Sequence, residues 1–309
     1  MNVVVVGPGA IGCLFGARLA LSGNEVFMLD RDASRAALIE DDGLVVDGMR
    51  RLTVEVRAGA EPAHAPAATL ALVCVKSYDT PSAAEAVAGL PGRPYVLTLQ
   101  NGLGNAEELA RAVGPSRVGV AATSCGATKL GPGRIRQAGE GPTELAPWSA
   151  EGEAGARLAA DALRGAGFDV YISADPMAVL WRKLVVNAAV NGPSAIAGVP
   201  NGKLATLDHY RVLLLSCARE AAAVAEAAGV HIDDPEGAVL SVCEDTADNV
   251  SSMLQDVRRG ARTEVDAIYG AVVRRGAELG VETPVTEEML RAVKALEQKE
   301  REKVKEAGG

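Results

Sequence analysis

A chain of 309 residues is long enough for roughly two domains, each burying its own core. An apolar content of 48% with 23% charged residues excludes a disordered chain, and a net charge of −9 leaves no basic excess to bind nucleic acid. The first apolar run lacks a basic leader or cleavage site, and no apolar stretch is long enough to span a bilayer, so the expectation is a cytoplasmic protein with no membrane partner.

The chain opens with Val3, Val4, Val5 and Val6, an all-apolar run that reads as a strand buried on both faces of a parallel sheet. Gly7-Pro8-Gly9-Ala10-Ile11-Gly12 follows directly, then a helical pattern carried by Leu14, Phe15, Ala17, Leu19 and Ala20. Glycines at this spacing let the backbone turn tightly and approach a pyrophosphate, whose charge the helix N-terminus then holds. A second strand over residues 25–29 ends on Asp30, where the dinucleotide fingerprint wants an acid. Asp30 suits a ribose 2′-hydroxyl and hence NAD(H), whereas Arg31 beside it, with Arg35 a turn further on, suits the 2′-phosphate of NADP(H).

β-rich runs over 68–75, 95–99, 117–123 and 168–172 alternate with helical patterns over 81–88 and 106–113, which predicts βαβ units and a doubly wound sheet. Short extra strands are expected over 133–137 and 143–145. Lys76-Ser77 and Asn101-Gly102 each follow a strand end, the edge at which ligands bind in open α/β sheets, although each is also an ordinary strand terminus or turn.

Beyond Asp175-Pro176 the strands stop. Helical patterns follow over 177–191, 209–228, 235–249, 264–279 and 286–305, so the fold class is α/β: a dinucleotide-binding domain over 1–174 and an all-helical domain over 175–309. Residues 297–306 read as a solvated helix end that frays at Gly308-Gly309. Lys183, Asn187 and Asn191 recur every four residues, which puts one ammonium and two amides on one helix face. The rest of that helix is apolar, so the amides are expected to be partly buried and to need partners, from a polar substrate or from neighbouring backbone. Gly192-Pro193 should then end or break the helix. Further on, Ser252 and Gln255 read as a capping box, and Thr263-Glu264 as an acidic helix start. The five cysteines (Cys13, Cys74, Cys125, Cys217, Cys243) show no ligand spacing, no metal site is expected, and His64, His209 and His231 lie outside every motif.

Taken in order, Gly7-x-Gly9-x-x-Gly12, Val75-Lys76-Ser77, Gln100-Asn101-Gly102, Lys183-Leu184-x-x-Asn187-x-x-x-Asn191-x-Pro193, Pro200-Asn201-Gly202 and Ser251-Ser252-Met253-Leu254-Gln255-Asp256, then Thr263-Glu264-Val265-Asp266, resemble the ketopantoate reductase family along the whole chain. The resemblance implies a Rossmann-like domain followed by a helical domain like the C-terminal half of 6-phosphogluconate dehydrogenase. It implies NADPH-dependent reduction of 2-dehydropantoate to (R)-pantoate, on the way to pantothenate and coenzyme A. By the same resemblance Lys183 is the proton donor and Glu264 a second catalytic group. Asn101, Lys183, Asn187, Asn191, Asn201 and Ser252 bind substrate. Gly7, Pro8, Gly9, Ala10, Ile11, Gly12, Asp30, Arg31, Lys76, Asn101, Ala127 and Glu264 line the cofactor site. A homodimer is compatible with it. Two rival functions stand beside this: a D-2-hydroxyacid dehydrogenase of the same superfamily using NADH on another branched 2-keto acid, and a non-catalytic dinucleotide sensor.

Overall fold

The structure, a computed structural model, describes residues 1–49 and 51–307, with side chains to Lys303; the expected fraying at Gly308-Gly309 lies outside the described residues. Its elements in chain order are β1 (Asn2–Val6), α1 (Ala10–Leu21), β2 (Glu25–Leu29), α2 (Ala33–Asp42), β3 (Leu44–Gly48), β4 (Leu52–Val54), β5 (Arg57–Gly59) and β6 (Leu70–Val73). There follow α3 (Thr80–Ala88), β7 (Tyr95–Thr98), α4 (Asn105–Val113), β8 (Val118–Thr123), β9 (Gly126–Gly131), β10 (Arg134–Gly139), β11 (Thr143–Pro147), α5 (Glu153–Gly165) and β12 (Val170–Ile172). Then come α6 (Pro176–Ala197), α7 (Asn201–Thr206), α8 (Asp208–Ala227), α9 (Pro235–Asp245), α10 (Ser252–Arg258), α11 (Val265–Leu279) and α12 (Pro284–Ala307).

Two compact units divide the chain. The first is Met1–Gln100 with Gly104–Val179, and the second is Asn101–Leu103 with Leu180–Gly309. Against the expected boundary at 174–175, the units part inside α6, and three residues from the loop after β7 belong to the second. The physical reason is local. Gly102 takes a φ of +85°, and a Cβ there would lie 2.3 Å from the Ala267 carbonyl oxygen, so only glycine lets this loop lie against α11.

In the first unit, an eight-stranded sheet runs in the order β12-β11-β8-β7-β6-β1-β2-β5, with every neighbouring pair parallel except β11 with β8. β1 pairs with β2 on one side and β6 on the other, and its Val3, Val4 and Val5 are fully buried. A strand covered on both faces has no polar side to alternate with, which is why it reads as a continuous valine run; each such side chain contributes about 1.5–3 kcal/mol. A second sheet, β4-β3-β10-β9, has no counterpart among the expected elements beyond residues 133–137. Its strands are largely half-exposed: in β3 only Leu44 and Val46 are fully buried, so the apolar signal is thin.

The second unit is helical. α6 is longer than expected: it runs through Gly192-Pro193 to Ala197 without ending. Proline has no N–H for the Ala189 carbonyl and its ring crowds that oxygen, so the helix opens locally. The rung before it is bonded by a side chain. Tyr269 from α11 accepts from the Gly192 N–H at 2.6 Å and donates to the Ala188 carbonyl at 2.6 Å, standing where the direct Gly192-to-Ala188 bond of an α-helix would be. A second correction concerns α10. Its N-cap is Ser251, whose Oγ accepts from the Leu254 N–H at 3.2 Å, while Gln255 donates to the Val250 carbonyl; Ser252 is already helical and no capping box centres on it.

Candidate active site

In the first unit the glycine loop joins β1 to α1 at the carboxyl edge of the parallel strands. Two of its three glycines are explained by packing alone. Gly7 has a φ of +92°, and a Cβ on it would lie 2.5 Å from a Val75 methyl; a Cβ on Gly12 would lie 2.3 Å from the Gly7 carbonyl oxygen. Gly9 differs: its φ of −78° is open to any residue, and a Cβ there would meet only the Cys74 oxygen, at 3.9 Å. Nothing among the described residues requires this glycine, and the space above it would accommodate a pyrophosphate. Gly9 is the N-cap of α1 and provides no side-chain cap, and no acidic residue sits in the first turn, so the backbone donors of Ala10 and Ile11 face no competing side-chain charge. The residues therefore fit a dinucleotide.

At the end of β2, Asp30 is buried and held by a fork. Arg35 Nη2 donates to Oδ1 at 2.6 Å and Nε to Oδ2 at 2.9 Å, and the Asp32 N–H adds a bond of 3.0 Å to Oδ1. Burial alone would raise the Asp30 carboxyl; the Arg35 guanidinium and the Asp32 amide outweigh it and hold the group below the usual carboxylate range. Arg31, largely exposed, pairs with Asp79 at 2.6 Å. Pro8 is buried in the loop, and Lys76 begins a short turn after β6, half-buried, on the same sheet edge. Ala127 lies on β9 opposite Gln137, half-buried, and β9 packs on α1.

A buried polar network that motif reading passes over secures this edge. Thr98 donates to Gln100 Oε1 at 3.0 Å, Gln100 Nε2 donates to Thr80 Oγ1 at 2.8 Å, and the Thr80 hydroxyl lies 2.8 Å from Asn105 Oδ1 and 2.7 Å from the Ser77 carbonyl. It ties β7 to the first turns of α3 and α4. Its members are scattered single polar residues, so the only signal for it in the chain is polar groups standing in apolar surroundings.

In the second unit α6 carries Lys183, Asn187 and Asn191 on successive turns, as the spacing predicts; Lys183 is half-buried, and the two asparagines are 8% and 5% exposed. Asn187 Nδ2 donates to Asn101 Oδ1 at 3.2 Å, and Asn101 Nδ2 donates to Glu264 Oε2 at 3.1 Å. Residues 86 and 163 positions apart thus form one partly buried chain of amide, amide and carboxylate. Glu264, 6% exposed, stands at the N-cap of α11, and its neighbour Thr263 is held by an N–H donation to Glu297 of α12.

Three buried polar atoms among the described residues of this unit have no protein partner, Trp181 Nε1, Asn191 Nδ2 and Asn201 Oδ1, although Asn201 Nδ2 donates to Thr246 at 2.9 Å. Leaving such an atom dry costs about 1–3 kcal/mol, which a bound polar group would relieve. Ser252 is exposed on the first turn of α10, and the buried serine of the pair is Ser251. Among the described residues no group of three or more histidine, cysteine or acidic side chains is arranged to hold a metal. No helix among them is long and apolar enough to cross a membrane.

Comparison with known proteins matches both halves. The family described as "Ketopantoate reductase PanE/ApbA" covers residues 3–150, and "Ketopantoate reductase PanE/ApbA C terminal" covers residues 175–297. A 2-dehydropantoate 2-reductase of Halobacterium salinarum is 38% identical over 92% of this chain and 95% of its own length. Among solved structures, a PanE/ApbA family ketopantoate reductase from Ralstonia eutropha superposes with a TM-score of 0.87 at 34% identity, over 97% of this chain and 100% of that one. The ternary structure of D-mandelate dehydrogenase with NADH and anilino(oxo)acetate superposes with a TM-score of 0.90 at 26% identity, over 97% and 99%.

Proposed function

We propose that this chain, which belongs to the ketopantoate reductase family, reduces 2-dehydropantoate to (R)-pantoate, with Lys183 delivering the proton to the ketone oxygen. The observation that carries the reading is the pair of buried, unpartnered amide atoms on Asn191 and Asn201, in a unit whose one-faced stripe also presents an ammonium. 2-Dehydropantoate offers the carboxylate and carbonyl oxygens that Asn191 Nδ2 can donate to, and its hydroxyl can donate to Asn201 Oδ1.

When bound, the nicotinamide dinucleotide supplies a hydride to the carbonyl carbon. The work of the chain is then to place the substrate and manage the charge that develops on oxygen. The Lys183 ammonium stabilises that charge and gives up its proton to it. Asn187 and Asn101 are oriented by their hydrogen bonds, and the Glu264 carboxylate fixes the end of that chain by accepting from Asn101. The glycine loop holds the pyrophosphate on backbone donors.

For the cofactor we favour NADPH. Asp30 arrives with its charge balanced by Arg35, so it repels a 2′-phosphate far less than a bare carboxylate. The fold's likeness to an NADH-bound D-mandelate dehydrogenase, together with Asp30 itself, supports a second reading, an NADH-dependent reduction of another branched 2-keto acid. Initial rates of NADPH and NADH oxidation with 2-dehydropantoate, in wild type and Lys183→Ala, test both. Turnover that collapses in the variant supports the first; activity confined to other 2-keto acids supports the second.

A further inference from the structure

The Tyr269 hydroxyl is fully buried, and burial holds it well above the ordinary tyrosine range, so it remains a neutral group that donates and accepts at once. It uses both capacities inside another helix. Gly192 donates to it and it donates to Ala188, each at 2.6 Å. The fit is tight, because a Cβ on Gly192 would lie 2.4 Å from the hydroxyl oxygen and 2.7 Å from the ring carbon that bears it. Pro193 cannot donate to Ala189, so that rung of α6 is missing, and the Tyr269 hydroxyl from α11 bonds both groups of the rung before it. The opened turn contains Asn191, the residue immediately before Gly192, whereas Lys183 and Asn187 lie on the regular turns before it.

We propose that Tyr269 is a positioning residue for the keto acid: its hydroxyl, wedged between Gly192 and Ala188, sets how far α6 opens and so where the Asn191 amide meets the substrate. The proposal rests on the reading of Asn191 as a substrate contact. Without the wedge the turn closes towards the ordinary Gly192-to-Ala188 bond, or leaves both groups unpaired; either way the Asn191 side chain moves relative to Lys183. The substrate then forgoes one hydrogen bond to a charged or strongly polar group, worth about tenfold in binding.

The test is a cycle of Tyr269→Phe, Asn191→Ala and the double variant, with Gly192→Ala as a second way to displace the hydroxyl. Steady-state KM for 2-dehydropantoate, dinucleotide Kd by fluorescence and thermal unfolding are measured on each folded enzyme. The expected result is a substrate KM about tenfold higher in Tyr269→Phe and in Gly192→Ala, with dinucleotide Kd unchanged and no further rise when Tyr269→Phe is added to Asn191→Ala. A Tyr269→Phe enzyme that loses thermal stability but keeps its substrate KM overturns the proposal, as do effects that multiply in the double variant. Should Asn191→Ala itself leave the substrate KM unchanged, the substrate-site reading fails and the proposal falls with it, a result distinguishable from the first two.

Discussion

The two units would hold the small molecules of the proposed reaction with different parts of the polypeptide. The first does it with backbone: a glycine loop, a helix N-terminus, and a Gly9 that packing does not demand. The second does it with side chains, three amides and a carboxylate drawn from positions 101, 187, 191 and 264, with a lysine on the same helix face. Backbone sites are short in sequence and need only neighbours in the chain. Side-chain sites need the fold to be complete before their members meet.

The largest effect expected from that contrast is on chemistry alone. Lys183→Ala should lower kcat by about 10²–10⁴-fold while dinucleotide affinity, measured by fluorescence titration, stays as in wild type. A loss of dinucleotide affinity instead would move Lys183 from proton transfer to cofactor binding.

The next test separates two glycines in one loop. Gly9→Val should fold with nearly unchanged thermal stability but bind dinucleotide about tenfold to 100-fold more weakly, because the added methyls occupy the pyrophosphate's space. Gly7→Ala should show the reverse order of damage, a stability loss of about 1–3 kcal/mol from its positive φ and the Val75 clash. If Gly9→Val also unfolds the protein, the space above Gly9 is structural.

A smaller effect is expected at the end of β2. Arg35→Ala leaves Asp30 unbalanced, and the ratio of kcat/KM for NADPH over NADH should fall by about tenfold. The same pair sets an acid limb. Since the folded Asp30 carboxyl is held below its unfolded value, its contribution to stability is present above the ordinary carboxylate range and is lost as pH falls through the folded value. Thermal unfolding followed from about pH 6 down to pH 3 should decline more steeply in wild type than in Asp30→Asn.

The smallest effect is a null result at sulfur. Burial pushes the Cys13 and Cys217 thiols up to about 12 and Cys243 to about 11, so native protein at pH near 8 should resist alkylation by iodoacetamide at these three positions, read by mass spectrometry.

Particular residues show where the chain is legible on its own. The valine run of β1, the glycine loop after it, the change from alternation to long helices near residue 175, and the Lys183, Asn187, Asn191 stripe all depend on periods and spacings within a few turns, which local geometry dictates. The small sheet of β3, β4, β9 and β10 escapes such reading because its strands are largely half-exposed. Gly192-Pro193 reads as a helix end because proline's local cost is real; the helix nonetheless continues, with a tyrosine hydroxyl from 77 residues away bonded to the Gly192 N–H beside the proline.

What the amino-acid order by itself determined is therefore the strand, glycine turn and helix of the dinucleotide fingerprint, and a helix face bearing an ammonium and amides. Tertiary structure alone decided that Asn101 and Glu264 join that face, that Asp30 is met by Arg35, and that α6 continues past its proline. The reason is physical: backbone conformation is set by neighbours in sequence, whereas a hydrogen bond between side chains 86 or 163 positions apart exists only once packing has brought and held them together.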